Sequence, residues 1–375
     1  MVRIIVESVN AVKDAEMIID IHAHIFPPLS GASGFAGRAE HALFLQLYIA
    51  THAQPTRRLR DHARSFGDDI LGDGRYEGPE AFATADFRVG SFGRFEWTVT
   101  GETFYRQFLP PSLQEMAAPA EFLLQEMAYA GVDAVVLQNA RLYGRLNTYF
   151  AEAARRHPGR FLPLADVNEA QADSAEEIVR LTAAVRDLGM RGVYYATRGH
   201  FTERYRRHLD DPAFFPYWEE VRRLRIPVFW EILGVPLPTP AAYLQQIARL
   251  NRWAERFPDI RCVLTHGVDP EFLRADLPSP LQELLAREQF LIELLYPIGQ
   301  GRLYEYPFLE TQHAIQRMYA LVGGERLLWG SDMPNVARHC TYEQSLRYLR
   351  DHCPFIASHD LDRMLGANAE QLFKR

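Results

Sequence analysis

The sequence predicts an α/β protein folded as a (β/α)8 TIM barrel, with a long insertion after the first strand. Eight short apolar runs alternate with amphipathic stretches of helical length, and one long interval interrupts this rhythm. Each run is rich in β-branched or aromatic residues, which is typical of a strand buried on both faces of a parallel sheet. The runs lie at 17–26, 132–140, 161–168, 191–197, 226–233, 260–267, 290–296 and 326–332.

Two of the intervening stretches, 174–190 and 240–257, have the clearest helical pattern, with apolar residues at every third or fourth position. Ser174 followed by Glu177 predicts a capping box at the start of the first, and Gly189 lies near its end. An open, doubly wound sheet is the alternative fold. It would normally have a glycine-rich first turn, whereas the first turn here reads HIFPP.

The pattern divides the chain into three parts. We expect an N-terminal extension at 1–16, a barrel formed by 17–26 and 112–375, and an insertion subdomain at 27–111 that covers the barrel mouth. The interval 27–111 lacks clear strand–helix units and is rich in glycine, arginine and aromatic residues. The alternative is a peripheral insertion that only packs against the barrel or mediates dimerisation.

Composition excludes several classes of protein. The formal net charge of −7 does not favour a nucleic-acid partner, which requires many Lys and Arg contacts to phosphates. No apolar run approaches the roughly 20 residues that span a bilayer, so we expect no membrane partner. The three cysteines lack CxxC spacing and the first ten residues lack a secretion signal, which indicates a reducing, cytoplasmic location. We expect a homodimer, because barrel enzymes often dimerise.

The first apolar run ends with the residues that point most directly to chemistry. Alternate strand residues share a face, so Asp20, His22 and His24 point the same way. Two imidazoles within an apolar run would be costly to bury without a partner, and a metal ion would satisfy both. The sequence therefore predicts a metal site at the end of this strand.

Two later runs also end in polar residues. Asp332 follows the last run and could ligate the metal, accept a proton from water, or do both; the alternative is a helix N-cap. His266 ends the sixth run, where it is predicted to act as a ligand or a general acid/base. A satisfied core histidine is the alternative for His266.

The motifs IDIHAHIFPP, VLTHG, LLWGSDMP and GANAEQLF together resemble the amidohydrolase superfamily. The resemblance is to the branch that contains aminocarboxymuconate-semialdehyde decarboxylase and the dihydroxybenzoate decarboxylases, and it covers the barrel but not the insertion. It implies one divalent metal ion held by His22, His24 and Asp332, with His266 in catalysis. Zinc is the expected metal, with manganese or iron possible.

The fifth run departs from that pattern. The branch has a ligand histidine four residues after a proline, and here Pro227 is followed at that position by Glu231. We expect Glu231 to ligate the metal. The alternatives are that it is a base or a substrate contact, or that the site binds metal weakly or not at all.

Weaker candidates surround this predicted site. Arg198 could clamp a carboxylate, and the charge of Glu293 in an apolar strand requires a partner. The predicted substrate contacts are Arg198, Tyr195, Trp230, Glu293 and His200.

We expect hydrolysis of a small cyclic or aromatic substrate at an amide, lactone or imine carbon. The carboxylate of Glu231 makes the site more anionic, which favours a neutral reacting group. The first alternative, implied by the resemblance, is non-oxidative decarboxylation of an aromatic or unsaturated acid; hydratases also occur in the same branch. The second is a catalytically inactive barrel with a binding role.

Overall fold

The computed structural model describes residues 17–67, 70–295 and 306–374. Within these ranges, twelve strands form two sheets. In chain order they are β1 (Ile19–Ala23), β2 (Arg57–Arg58), β3 (Asp86–Val89), β4 (Arg94–Val99), β5 (Glu102–Gln107), β6 (Ala134–Leu137), β7 (Phe161–Asp166), β8 (Gly192–Ala196), β9 (Val228–Glu231), β10 (Cys262–Leu264), β11 (Phe290–Leu294) and β12 (Leu327–Trp329).

The helices of the described residues alternate with the strands of the larger sheet. They are α1 (Arg38–Ala50), α2 (Ala120–Ala130), α3 (Asn147–Arg156), α4 (Ala175–Arg186), α5 (Phe215–Leu224), α6 (Pro240–Arg256), α7 (Pro270–Leu273), α8 (Ser279–Leu285), α9 (Leu309–Val322), α10 (Tyr342–His352), α11 (Ser358–Asp362) and α12 (Asn368–Phe373). No helix in these ranges is long and apolar enough to cross a membrane.

The larger sheet is a parallel barrel, which confirms the predicted fold. Its strands follow the order β1-β6-β7-β8-β9-β10-β11-β12. The first and last strands meet just beyond their carboxyl ends, where His24 N donates to Met333 O at 2.7 Å and Asp332 N donates to His22 O at 2.8 Å. The segments that carry His22, His24 and Asp332 are therefore joined by backbone hydrogen bonds.

Local capping explains where α4 begins. The Ser174 side chain accepts a hydrogen bond from Glu177 N at 3.1 Å, as predicted. The Glu177 carboxylate does not complete the capping box, because it accepts from Asn168 N at 2.6 Å in the preceding loop. Half of the predicted box is therefore present, and the other half connects α4 to the end of β7.

The barrel strands are buried, and their two faces pack against different partners. The Phe229 ring lies 6.1 Å from that of Phe373, whose carbonyl accepts from Arg191 immediately before β8. The C-terminal helix α12 thus covers the amino ends of the strands, and the opposite end is the mouth. The outward face of β9 packs through Trp230 on Trp218 of α5 and Trp253 of α6.

The interval 27–111 contains structure that its sequence pattern did not show. It forms α1 and a four-stranded antiparallel sheet in the order β2-β5-β4-β3, with Trp97 paired opposite Phe104. Phe26 and Ala118 exchange backbone hydrogen bonds at the base of the insertion. The Phe82 ring lies 6.0 Å from Phe201, which follows barrel strand β8. The insertion therefore contacts the mouth side of the barrel, while its status as a separate subdomain remains a prediction.

Candidate metal centre

Three predicted ligands converge at the barrel mouth. His22 Nε2 and His24 Nε2 lie 3.0 Å apart, and Asp332 Oδ1 lies 3.7 Å from the first and 3.1 Å from the second. Metal–ligand bonds are about 2 Å long, so donor atoms at these separations can share one ion. The described residues thus contain a His-His-Asp metal site formed by the first and last barrel strands.

The opposite nitrogen of each imidazole is held by an acceptor. His22 Nδ1 bonds to Glu293 Oε1 at 2.8 Å, and His24 Nδ1 bonds to the backbone carbonyl of Gln138 at 2.9 Å. A carbonyl can only accept, so His24 Nδ1 carries a hydrogen, and an ionised Glu293 imposes the same tautomer on His22. In the neutral rings, both Nε2 lone pairs then point toward the centre of the group.

This arrangement of lone pairs fits a cation. Burial lowers the pKa of His22 to about 4, against the opposing charge of Asp332, so its ring is neutral near pH 7. Burial would raise the pKa of Asp332, but its interactions with His22 and His24 hold it well below its usual range, so this carboxylate is ionised. Two nitrogen lone pairs and a carboxylate oxygen facing one another repel, and a divalent ion would relieve that repulsion.

Asp20 fixes the two strands that carry the ligands. Its Oδ1 accepts from the backbone nitrogens of His22 at 3.0 Å and Ser331 at 2.9 Å. Its Oδ2 accepts from Ser331 Oγ at 2.5 Å and Tyr342 OH at 2.7 Å. The Asp20 carboxylate, which shares a strand face with the two histidines, therefore connects the first barrel strand to the segment that follows the last. All of its hydrogen bonds are to other groups of the same chain.

Two site residues have unusual backbone conformations. Asp332 has φ 58° and His266 has φ 66°, in the left-handed region that residues with a Cβ rarely adopt. Such conformations cluster at functional sites because the surrounding structure must hold them. At Gly330, an added Cβ would lie 2.2 Å from Glu293 Oε1, so only glycine lets the last strand approach this carboxylate.

His266 and Glu293 adjoin the metal ligands. The imidazole rings of His266 and His22 stack with their centroids 5.2 Å apart. Glu293 bonds to His22 through Oε1 and accepts from His266 N through Oε2 at 2.6 Å. Burial raises the pKa of Glu293 to about 7, against the opposing charge of His266. Glu293 thus has the partner that its sequence position required, and that partner is a ligand histidine.

Glu231 is buried beside the three-residue group but is not part of it. Tyr48 OH donates to Glu231 Oε2 at 2.9 Å, and Tyr194 also hydrogen-bonds to this carboxylate. The hydrogen-bond partners of the Glu231 carboxylate are these two phenol groups, so ligation of the metal by Glu231 remains a prediction.

Arg198 lies at the same side of the mouth. Its guanidinium carbon is 4.5 Å from the centroid of the Tyr48 ring, a cation–π contact. The Tyr48 side chain therefore lies between the positive charge of Arg198 and the carboxylate of Glu231.

The structure does not bring Tyr195, Trp230 or His200 to the metal site. The Trp230 ring packs on Trp218 and Trp253, and the Tyr195 hydroxyl bonds to His200 Nε2 at 2.7 Å in the same outer layer. The reason is strand alternation: neighbouring residues point to opposite faces, so Tyr194 and Glu231 face the lumen instead.

Several residues around the site were not predicted. Asn335 Nδ2 donates to Asp332 Oδ1 and to Tyr143 OH, both at 2.8 Å, and Tyr48 reaches Glu231 from the insertion. The spacing of Asn335 three residues after Asp332 was an available signal. Tyr48 and Tyr143 gave none, because an aromatic residue in a helix or loop more often indicates ordinary packing.

A family model described as amidohydrolase matches residues 19–375, nearly all of the chain. The chain belongs to the amidohydrolase family.

Known proteins similar to this amidohydrolase include a curated relative and solved structures. A 2-amino-3-carboxymuconate-6-semialdehyde decarboxylase of Dictyostelium discoideum is 22% identical over 217 residues, covering 50% of this chain and 55% of the relative. The match thus spans about half the length of that relative.

Two solved structures show the same fold at low identity. A probable 2-pyrone-4,6-dicarboxylic acid hydrolase of Acinetobacter baumannii has TM-score 0.53 and 19% identity, covering 69% of this chain and 90% of its own. A dihydroxybenzoic acid decarboxylase of Polaromonas sp. JS666, with bound manganese and 2-nitroresorcinol, has TM-score 0.50 and 15% identity, covering 69% and 86%.

Proposed function

We propose that this amidohydrolase is a metal-dependent, non-oxidative decarboxylase of a small aromatic or unsaturated carboxylic acid. The observation that carries the proposal is the Arg198 guanidinium, 4.5 Å from the ring of Tyr48, whose hydroxyl donates to Glu231. The expectation of a hydrolase rested on the negative charge of Glu231. Arg198 offsets that charge beside the metal site, so a substrate carboxylate can be accommodated. The decarboxylases among the similar proteins support the same reaction.

In the proposed reaction, the chain's own residues position the acid and move one proton. When bound, a divalent ion would supply a Lewis acid that anchors the substrate's oxygen atoms. Arg198 would orient the carboxylate, and the ring of His266, stacked on His22, would hold the proton. That proton is delivered to the carbon bearing the carboxylate. The carbon–carbon bond then breaks, its electron pair returns to the substrate, and CO2 leaves without any change in redox state.

His22, His24 and Asp332 are the residues that would hold the ion. Two imidazoles and one carboxylate match the three-ligand pattern of catalytic zinc sites, and zinc is our first expectation. The manganese in the Polaromonas decarboxylase makes manganese the main alternative for this chain.

Hydrolysis of a lactone is the second candidate function. It is favoured by the 2-pyrone-4,6-dicarboxylic acid hydrolase among the similar structures and by the position of Asp332, which could accept a proton from an attacking water. The intact His-His-Asp group supports either enzyme over a catalytically inactive barrel.

The two reactions differ in what the substrate loses or gains. Metal-loaded protein would be incubated with 2,6-dihydroxybenzoate or with 2-pyrone-4,6-dicarboxylate, and products would be followed by mass spectrometry and CO2 detection. We expect CO2 release and loss of a carboxyl group from the hydroxybenzoate, and no turnover by Asp332→Asn. Addition of water to the pyrone without CO2 release would contradict the proposal and favour the hydrolase.

A further inference from the structure

The side-chain amide of Asn335 joins the ligand Asp332 to a tyrosine. Asn335 Nδ2 donates to Asp332 Oδ1 and to Tyr143 OH, and both hydrogen bonds are 2.8 Å long. Asp332 Oδ1 is the oxygen that lies 3.7 Å and 3.1 Å from the Nε2 atoms of His22 and His24. Because the two bonds share one nitrogen and each is 2.8 Å long, the phenol oxygen is at most 5.6 Å from this ligand atom. The Tyr143 hydroxyl therefore stands beside the metal site.

The carboxylate of Asp332 fixes the direction of both hydrogen bonds. A carboxylate that ligates a metal ion is deprotonated, so its oxygens can only accept. Rotating the amide by half a turn would place Asn335 Oδ1 against Asp332 Oδ1, and two acceptors repel each other. The two hydrogens of Asn335 Nδ2 are therefore shared between Asp332 and Tyr143. The phenol oxygen of Tyr143 accepts, and its own hydrogen must point elsewhere.

That phenol hydrogen has no acceptor in the part of the chain that the structure describes. The bond from Asn335 is the hydrogen bond that the Tyr143 hydroxyl makes there. The side chain is buried, and its ring centroid lies 4.5 Å from those of Phe26 and of the ligand His24. A buried donor without an acceptor is unfavourable, so this hydrogen calls for an acceptor that the chain does not supply.

The metal site opens to solvent on the side where this hydroxyl lies. The side chains of His22 and His24 are 1% and 4% exposed, whereas that of Asp332 is 14% exposed. A ligand therefore reaches the group past the carboxylate to which Asn335 links Tyr143. Since the two oxygens are at most 5.6 Å apart, a ligand oxygen placed between them is within hydrogen-bond distance of the phenol.

We propose that Tyr143 is a further catalytic residue, whose hydroxyl donates a hydrogen bond to the substrate oxygen that lies at the metal site. The inference rests on the proposed function and adds one group to it. Asn335 is the positioning residue, because it occupies the phenol oxygen and so directs the hydrogen toward the substrate. Tyr143 acts without changing its protonation state. A donor held in this way stabilises negative charge on the substrate oxygen during the reaction.

Tyr143→Phe tests the inference, because it removes the hydroxyl and keeps the ring against Phe26 and His24. Calorimetry on the metal-loaded full chain would measure the affinity for benzoate, a carboxylate whose oxygens can accept the bond. The lost hydrogen bond is to a charged group, so we expect benzoate to bind about tenfold more weakly or worse. Turnover of 2,6-dihydroxybenzoate should fall by about 100-fold or more. The metal content should be unchanged.

Tyr217→Phe is the matched control. It also removes a buried phenol hydroxyl, one that has no hydrogen-bond partner among the described residues, and the Tyr217 ring packs on Trp218 in the outer layer. This variant should keep the full affinity for benzoate. An unchanged affinity in Tyr143→Phe, an equal loss in Tyr217→Phe, loss of metal from Tyr143→Phe, or no binding of benzoate by the unaltered protein would each overturn the inference.

A double-mutant cycle tests the role of Asn335. With metal in excess, Asn335→Ala should weaken benzoate binding in the unaltered protein and have little further effect in Tyr143→Phe, since the two residues act on one hydrogen bond. A loss of equal size in both backgrounds would contradict the positioning role. A benzoate affinity that depends on Tyr143, combined with lactone hydrolysis, would refute the decarboxylase and leave the role of Tyr143 intact.

Discussion

The two faces of β8 and β9 carry similar residue types and serve different purposes. On the lumen face, Tyr194 and Glu231 are hydrogen-bonded to each other beside the metal site. On the outer face, Tyr195 and Trp230 pack 5.1 Å apart, ring to ring, beneath the helices. Each residue on the lumen face is adjacent in sequence to one on the outer face: Tyr194 to Tyr195, and Glu231 to Trp230. Polar or aromatic character alone therefore does not identify a site residue, whereas the parity of its position along the strand does.

The largest expected effect comes from removing a ligand on the lumen side. His22→Ala or Asp332→Asn should abolish stoichiometric metal binding and lower turnover by about three orders of magnitude or more, since every proposed step depends on the centre. Elemental analysis and an activity assay would measure both. His200→Gln, on the outer face, is the matched control and should retain its metal. Full metal content in both ligand variants would refute the assignment of the site.

Trp230→Ala should have the opposite effect: it should lower stability and leave metal binding unchanged. Its indole is fully buried against two other tryptophans, so truncation should leave a cavity and lower the free energy of unfolding by about 3–5 kcal/mol. Urea unfolding would measure this loss, and the folded fraction should keep its metal and its KM. Trp230→Phe should cost less. A changed KM with unchanged stability would instead place Trp230 in the substrate site.

The smallest effect concerns the pH dependence of stability. Burial lowers the pKa of His200 from 6.5 to about 3, so below pH 6.5 the unfolded chain binds a proton that the folded chain does not. Stability contributed by the neutral ring is thus present above pH 6.5 and is lost as the pH falls toward 3.

Between pH 7.5 and 5.5 His200 should lower the free energy of unfolding of the metal-loaded protein by about 1.4 kcal/mol, and this contribution should be absent from His200→Gln. Urea unfolding of both proteins at the two pH values gives the difference. Equal slopes for the two proteins would show that His200 titrates normally.

Much of the architecture was predictable because it depends on local pattern. All eight barrel strands lie within the predicted apolar runs, since doubly buried parallel strands have a strong sequence signal. The convergence of His22, His24 and Asp332 followed from a general property of barrels, whose strand ends share one mouth.

Other features depend on tertiary contacts that leave little local trace. The segment 38–50 forms α1, yet its apolar residues are too contiguous to show a clear helical period. Tyr48 reaches Glu231 across 183 residues of sequence, and such a pairing has no local signal. Tyr195 and Trp230 were predicted as substrate contacts, but the face to which each points depends on strand register.

The closure of the barrel through Asp20 and Ser331 has a consequence for biosynthesis. These residues are 311 positions apart, and each belongs to one of the two segments that supply ligands. A ribosome must therefore synthesise the chain at least as far as Asp332 before the cation can be captured by all of its donors. Once captured, the ion would link two segments that are synthesised far apart in time and favour the finished fold by mass action.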